Sequence, residues 1–141
     1  MFIHHRGTEE APGLVLALDE APGEHCDGVA FRVAAARRDA TIAYLRDREL
    51  ISSAYLEREL PIFFRDGAQA MAVTYVIDRA HVQYVAGMAL EDQAQIIARA
   101  TGGRGPNDEY LYNTASHLAE LDLADADLDW LVSRVRGLKP A

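Results

Sequence analysis

The run Gly13-Leu-Val-Leu-Ala-Leu18, bounded by Pro12 and Asp19, constrains the fold more than any other stretch. A run without a polar side chain cannot alternate between core and solvent. It is therefore expected as a strand buried on both faces, with further strands along both of its edges. One neighbour is supplied by residues 26–33, where Val29, Phe31 and Val33 fall on one side. The turn-rich Asp19-Glu-Ala-Pro-Gly-Glu-His25 joins the two runs as a β-hairpin. The other neighbour must come from a second hairpin or from residues ahead of position 12.

That second hairpin is expected over residues 55–64 and 69–78, around Arg65-Asp-Gly67-Ala. Met71, Val73, Tyr75 and Ile77 alternate with smaller residues, as in a half-buried strand, and Pro61 favours an edge position or a bulge. Between the hairpins a helix begins in the alanine-rich stretch from Ala34. From Leu90 onward the apolar period becomes helical. Leu90, Ala94, Ile97, Ala98 and Thr101 share a face, with Gly102 as the stop. Asn107 or Asp108 can cap the next helix, which turns Tyr110, Leu111, Thr114, Leu118 and Leu121 inward. A last helix starts near Asp125 and buries Leu128, Leu131, Val135 and Leu138. With strands first and helices last, residues 1–141 read as a single α+β domain.

The chain has 141 residues, half of them apolar, and a net charge of −8. An acidic balance argues against nucleic acid and anionic membranes as partners, because both require a basic footprint. No apolar run approaches the roughly 18 residues of a membrane span, and no long apolar leader opens the chain. The single cysteine, Cys26, excludes an internal disulfide, which points to the cytoplasm.

Glu49 is the candidate for chemistry. At about 100° per residue, Thr41, Ile42, Leu45 and Glu49 share one helix face, while Arg46 and Asp47 point away. Leu45 and Ile42 seat that face on the protein and carry the carboxylate inward. Burial raises a glutamate pKa, which suits acid–base work. The residues alone leave a second reading open, in which Glu49 is a helix-end glutamate paired with Arg46 or Arg48 in solvent.

Other motifs carry less. His4 and His5 are adjacent, so in an extended segment they point to opposite faces. His25-Cys26 lacks a second ligand pair, and His81 and His117 are isolated, so no metal site is expected. No G-x-S-x-G elbow aims Ser52, Ser53 or Ser116 at a substrate, and Cys26 lies within an expected strand. Gly102-Gly-Arg-Gly105-Pro-Asn107 leads into a helix but matches neither nucleotide-binding glycine motif, so it reads as a helix–helix connection.

Taken together, several stretches resemble the ChaC family of glutathione-specific γ-glutamylcyclotransferases. They are Arg6-Gly-Thr8, Pro12-Gly-Leu-Val-Leu-Ala-Leu18 and Cys26-Asp-Gly-Val-Ala-Phe-Arg-Val33. Tyr44-Leu-Arg-Asp-Arg-Glu-Leu50 with Tyr55, the stretch from Ala72 through Asp78 and His81 to Gly87, and Gly105-Pro-Asn-Asp-Glu-Tyr110-Leu continue the likeness in order. The resemblance implies a mixed or closed β-sheet with C-terminal helices. It also implies cleavage of glutathione by its own α-amine, which attacks the γ-carbonyl, closes 5-oxoproline and releases Cys-Gly without metal or cofactor. Arg48-Glu49 followed by Tyr55 matches the family's Arg-Glu pair a few residues before a tyrosine, which implies Glu49 as the catalytic acid/base and Tyr55 as a substrate-binding residue. Tyr110 matches a substrate-binding tyrosine.

The chain departs from the family pattern in one respect. Family members open with a strand and a Tyr-Gly-Ser-Leu-type loop that holds the γ-glutamyl group, and this sequence contains no Tyr-Gly-Ser. Two readings are open: the start is assigned too late and the full protein is longer, or the chain is genuinely shortened and has an exposed sheet edge. Two other functions stay open at this point: cyclotransfer on other γ-glutamyl amines, and a non-catalytic binding or regulatory protein.

Overall fold

A computed structural model describes residues 6–140. The expectations about the chain start and the His4–His5 pair lie outside the described residues. The chain forms two compact units, one of Ala17–Tyr84 and one of Met1–Leu16 with Val85–Ala141.

In the Ala17–Tyr84 unit, a 3₁₀ turn at Ala35–Arg37 leads into α1, Arg38–Glu49. Asp39 in its first turn and Arg46 and Arg48 in its last complement the helix dipole. The helix closes as the Leu50 amide donates to the Arg46 carbonyl, and Ser53, at φ +57°, reverses the chain into buried Ala54. β1, Tyr55–Phe63, and β2, Gln69–Ile77, then pair antiparallel from Tyr55↔Ile77 to Phe63↔Gln69. Their connection is a type I turn closed by Gly67 in the left-handed region (φ +88°), with the Phe64 amide on the Ala68 carbonyl at 2.8 Å. The Ala54–Asp78 and Phe64–Ala68 rungs are both hydrogen-bonded, so the odd-numbered residues of β1 turn their amide groups outward. Pro61 is one of these, and its missing donor falls on the outer edge, as its sequence position anticipates.

The first hairpin expected from the sequence does not form. Residues 13–20 and 24–33 carry no strand ladder. Leu16 is 53% exposed and Phe31 88% exposed. An apolar run is buried only where a partner surface meets it, and the outer edge of β2 meets this one at a single rung, Ile77 N–H to the Leu18 carbonyl at 2.8 Å. Asp19 then ties the segment down by accepting from Arg79 and Tyr84, both at 2.7 Å. The outer half of β2 is likewise more open than its alternation suggests. Met71 and Val73 are exposed, and burial is confined to Val76 and Ile77.

The other unit contains α2 (Leu90–Arg99), the short strands β3 (Thr101–Gly102) and β4 (Gly105–Pro106), α3 (Asn107–Glu120) and α4 (Ala126–Leu138). Its core is Ala94, Ile97, Leu111, Leu128, Leu131 and Val135, all on helical faces read from the sequence, whereas Thr101, read as the end of the first face, is exposed in β3 because the helix already ends at Arg99. Each fully buried Leu, Ile or Val contributes about 1.5–3 kcal/mol. Asp125 caps α4, accepting the Leu128 amide at 2.9 Å, and Arg134 clasps Glu91 with two 2.7 Å hydrogen bonds, joining α4 to α2. The glycine-rich connection is a tight antiparallel pair between β3 and β4.

Asn107 does not cap α3 through its side chain. It is fully buried, and its amide donates to the Leu14 carbonyl and accepts from the Leu14 amide, both at 2.7 Å. Gly13 is required beside it, since a Cβ there would sit 2.2 Å from the Arg6 carbonyl oxygen.

Candidate functional site

Thr41, Ile42, Leu45 and Glu49 are the half-buried residues of α1, and every other residue of the helix is exposed. The face predicted from the helical period is therefore the face that turns inward. The depth is less than expected. No residue of α1 is fully buried, and the Glu49 side chain is 29% exposed. The groove of about 340 Å³ between helix and hairpin is lined by Arg38, Asp39, Arg46, Glu57 and Glu59 as well as by Ile42, Ala43 and Val73. Charged walls of this kind keep water against the helix.

Glu49 pairs with Arg48, whose Nε lies 3.5 Å from Oε1. Arg46, the other partner the sequence offered, is engaged elsewhere. Its Nε and Nη2 donate to Oε1 and Oε2 of Glu57 at 3.0 and 2.9 Å, and the Tyr75 hydroxyl donates to Glu57 Oε1 at 2.8 Å. The Arg46 hydrogen bonds, then that of Tyr75, hold the Glu57 carboxyl below the usual carboxylate range. Burial, followed by the hydrogen bond to Glu57, pushes the Tyr75 hydroxyl up to about 12; the Glu49 charge is a smaller cause in the same direction. Tyr75 is therefore a protonated donor throughout the neutral range.

Tyr55 opens β1 opposite Ile77 and is half-buried, on the strand face that also carries Glu57. Glu49 and Tyr55 thus belong to the same unit, at the two ends of the turn through Ala54. Tyr110 belongs to the other unit. Its hydroxyl accepts the Leu16 amide at 3.1 Å, and the Arg6 guanidinium lies 5.7 Å from the centre of its ring. An accepting hydroxyl keeps a proton to donate. Among the described residues no group of three His, Cys, Asp or Glu side chains could hold a metal ion, and Cys26 is exposed outside any strand.

Sequence reasoning missed the Arg46–Glu57–Tyr75 cluster and the Leu14–Asn107 clasp. The alternation of β2 put Tyr75 on a strand face, but only the register sets Glu57 opposite it. Nothing in the sequence distinguishes Asn107 as a backbone partner from Asn107 as a cap.

Comparison with known proteins decides the family. The ChaC-like protein family matches residues 1–138. This chain belongs to the ChaC-like family. The ChaC-like chain is 32% identical over 133 residues to the glutathione-specific γ-glutamylcyclotransferase of Escherichia coli K12, a match covering 94% of this chain and 57% of that protein. It is 34% identical over 142 residues to γ-glutamylcyclotransferase 2-3 of Arabidopsis thaliana, covering 94% of this chain and 69% of that protein. The chain thus spans between about half and two thirds of these relatives. In three dimensions it is similar to a glutathione-specific γ-glutamyl cyclotransferase from yeast, with a TM-score of 0.74, 20% identity, and 97% of this chain and 83% of that chain covered. The ChaC-like chain therefore has the α+β fold of that enzyme. Among its described residues no helix is long and apolar enough to cross a membrane.

Proposed function

We propose that this chain is a γ-glutamylcyclotransferase acting on glutathione, with Glu49 as general acid and base, and that residues 1–141 act as one domain. The observation that carries the reading is the placement of Glu49 on the inward face of α1, in the Arg-Glu pair that precedes Tyr55. The names of the relatives from Escherichia coli and Arabidopsis support the reaction class.

The reaction moves two protons from the substrate α-nitrogen to the departing nitrogen. Glu49 takes a proton from the substrate α-ammonium, and the freed amine attacks the γ-carbonyl carbon. The new C–N bond closes the five-membered ring of 5-oxoproline as the old amide C–N bond breaks. Glu49 returns that proton to the departing nitrogen and then carries the ring nitrogen's second proton to the released amine, so that 5-oxoproline forms as the neutral lactam and Cys-Gly leaves as an ammonium. Attack within one molecule supplies the nucleophile at high effective concentration. Tyr55 and Tyr110 are assigned to hold the substrate by hydrogen bonds, and no cofactor is required. The lone exposed thiol of Cys26 suits a reducing compartment, so we place the reaction in the cytoplasm.

Incubation of the purified chain with glutathione, with 5-oxoproline and Cys-Gly quantified, tests the reading. Glu49→Gln keeps the shape of the side chain and removes the titrating group, so kcat should fall by about 10²–10⁴. Absence of both products from the folded wild-type chain would overturn the assignment. Release from other γ-glutamyl amines but not from glutathione would move it to that substrate class.

A further inference from the structure

Arg46 and Glu49 are three residues apart on α1, so they are neighbours on the helix surface. Of the positions three and four residues from Arg46 (Ile42, Ala43, Glu49 and Leu50), only Glu49 carries a charge. An Arg46 without another partner can therefore reach Glu49 across one turn of the helix. It does not, because Glu57 takes both its Nε and its Nη2, and Tyr75 holds the same carboxylate from β2. Among the described residues, the ion-pair partner of Glu49 is Arg48, at 3.5 Å.

We propose that Glu57 is a positioning residue which, by clasping Arg46 to the hairpin, keeps a second guanidinium off Glu49. The inference rests on Glu49 as the acid–base group. A shuttle that must accept and then return a proton works best when neither form is strongly favoured. A second cation at hydrogen-bonding distance would fix Glu49 as the carboxylate and weaken the return step. Arg48 of α1 pairs with Glu49, and Tyr75 of β2 feels the Glu49 charge together with those of Arg46 of α1 and Glu57 of β1; Tyr55 opens β1 at the other end of the turn through Ala54, and Asp47 lies on the far side of the helix. Only Arg46 among them has a competing partner that decides where its charge sits. Tyr75, protonated throughout the neutral range, completes the clasp by orienting the Glu57 carboxylate.

The test is a cycle of Glu57→Gln, Arg46→Gln and the double variant, read by kcat and KM for glutathione across pH. Glu57→Gln should move the acidic limb of the kcat profile to lower pH by about one unit and lower kcat near pH 7 by about three- to tenfold, with KM little changed. Adding Arg46→Gln should return the limb to its wild-type position, because the released cation is gone. A merely structural role predicts the opposite, since removing both partners would be at least as harmful as removing one. An unmoved acidic limb in Glu57→Gln, or a double variant no better than the single, would overturn the proposal. The side-chain carboxyl resonance of Glu49, followed through a pH titration by NMR, reports the same displacement without turnover. If wild-type protein releases no 5-oxoproline, the cyclotransferase reading fails, while this titration still decides the role of Glu57.

Discussion

Asn107 performs with one side chain what a neighbouring strand does with its backbone. Its amide offers the donor and acceptor of a peptide group to Leu14, inside the protein, where an unmet backbone group costs about 1–3 kcal/mol. Asn107→Ala should therefore destabilise the helical unit by about 2–4 kcal/mol, read from the urea midpoint. Asn107→Asp keeps the acceptor for the Leu14 amide but sets a carboxylate against the Leu14 carbonyl, so it should be no better than alanine at pH 7. A variant as stable as wild type would mean that water replaces the clasp. This contact is not legible in the sequence, because Asn107 and Leu14 are 93 residues apart and asparagine before a helix is most simply read as a cap. Glu49 is a half-legible case. Helical periodicity fixed its direction, since direction depends only on residues within two turns. Its partner depended on Glu57, eleven residues away from Arg46 and brought near by the turn after α1.

Among the elements, the helices follow their sequence pattern and the first hairpin does not, for one reason. A helix satisfies its own backbone, so its apolar stripe needs only some complementary surface, and Leu128, Leu131 and Val135 find it against Ala94, Ile97 and Leu111. A strand needs a specific neighbour. Residues 13–18 are as apolar as a central strand requires, yet only Leu18 reaches the β2 edge. The pairing of α2 with α4 has a pH signature. Hydrogen bonds from Arg134, then Gln95, hold the Glu91 carboxyl down to about 2 from an ordinary 4.5. A depressed folded-state pKa contributes stability that is complete above about 4.5 and lost as the pH falls toward 2, because the unfolded chain takes up its proton first. Urea midpoints at pH 7, 4 and 2.5 should therefore fall more steeply for wild type than for Glu91→Gln, which starts lower and has no carboxyl to protonate. Parallel lines for the two proteins would remove Glu91 as the source. Glu91 is solvent-accessible, so the difference should shrink in 0.5 M salt.

At the scale of the whole molecule, charge and exposed apolar surface act against each other. Val29, Phe31, Phe63, Met71 and Val82 are large apolar side chains in contact with water. Exposed apolar groups favour association between copies, whereas a net charge of −8 at pH 7 opposes it through mutual repulsion. The repulsion disappears near the isoelectric point of about 5.0, while the apolar surface does not change. Light scattering at fixed concentration should therefore be low at pH 8, rise near pH 5, and rise at pH 8 when salt screens the charge. Phe31 is the largest and most exposed of the apolar side chains in the segment where no strand ladder forms, so Phe31→Asp is the discriminating variant. Removing an exposed ring should leave the unfolding midpoint within about 0.5 kcal/mol of wild type, yet lower the scattering at pH 5. Equal scattering at pH 8 and pH 5 would mean that charge does not hold the copies apart. Unchanged scattering for Phe31→Asp alone would place the contact on the outer half of the β1–β2 hairpin, where Phe63 and Met71 are exposed, and Met71→Asp would then be the variant that lowers it.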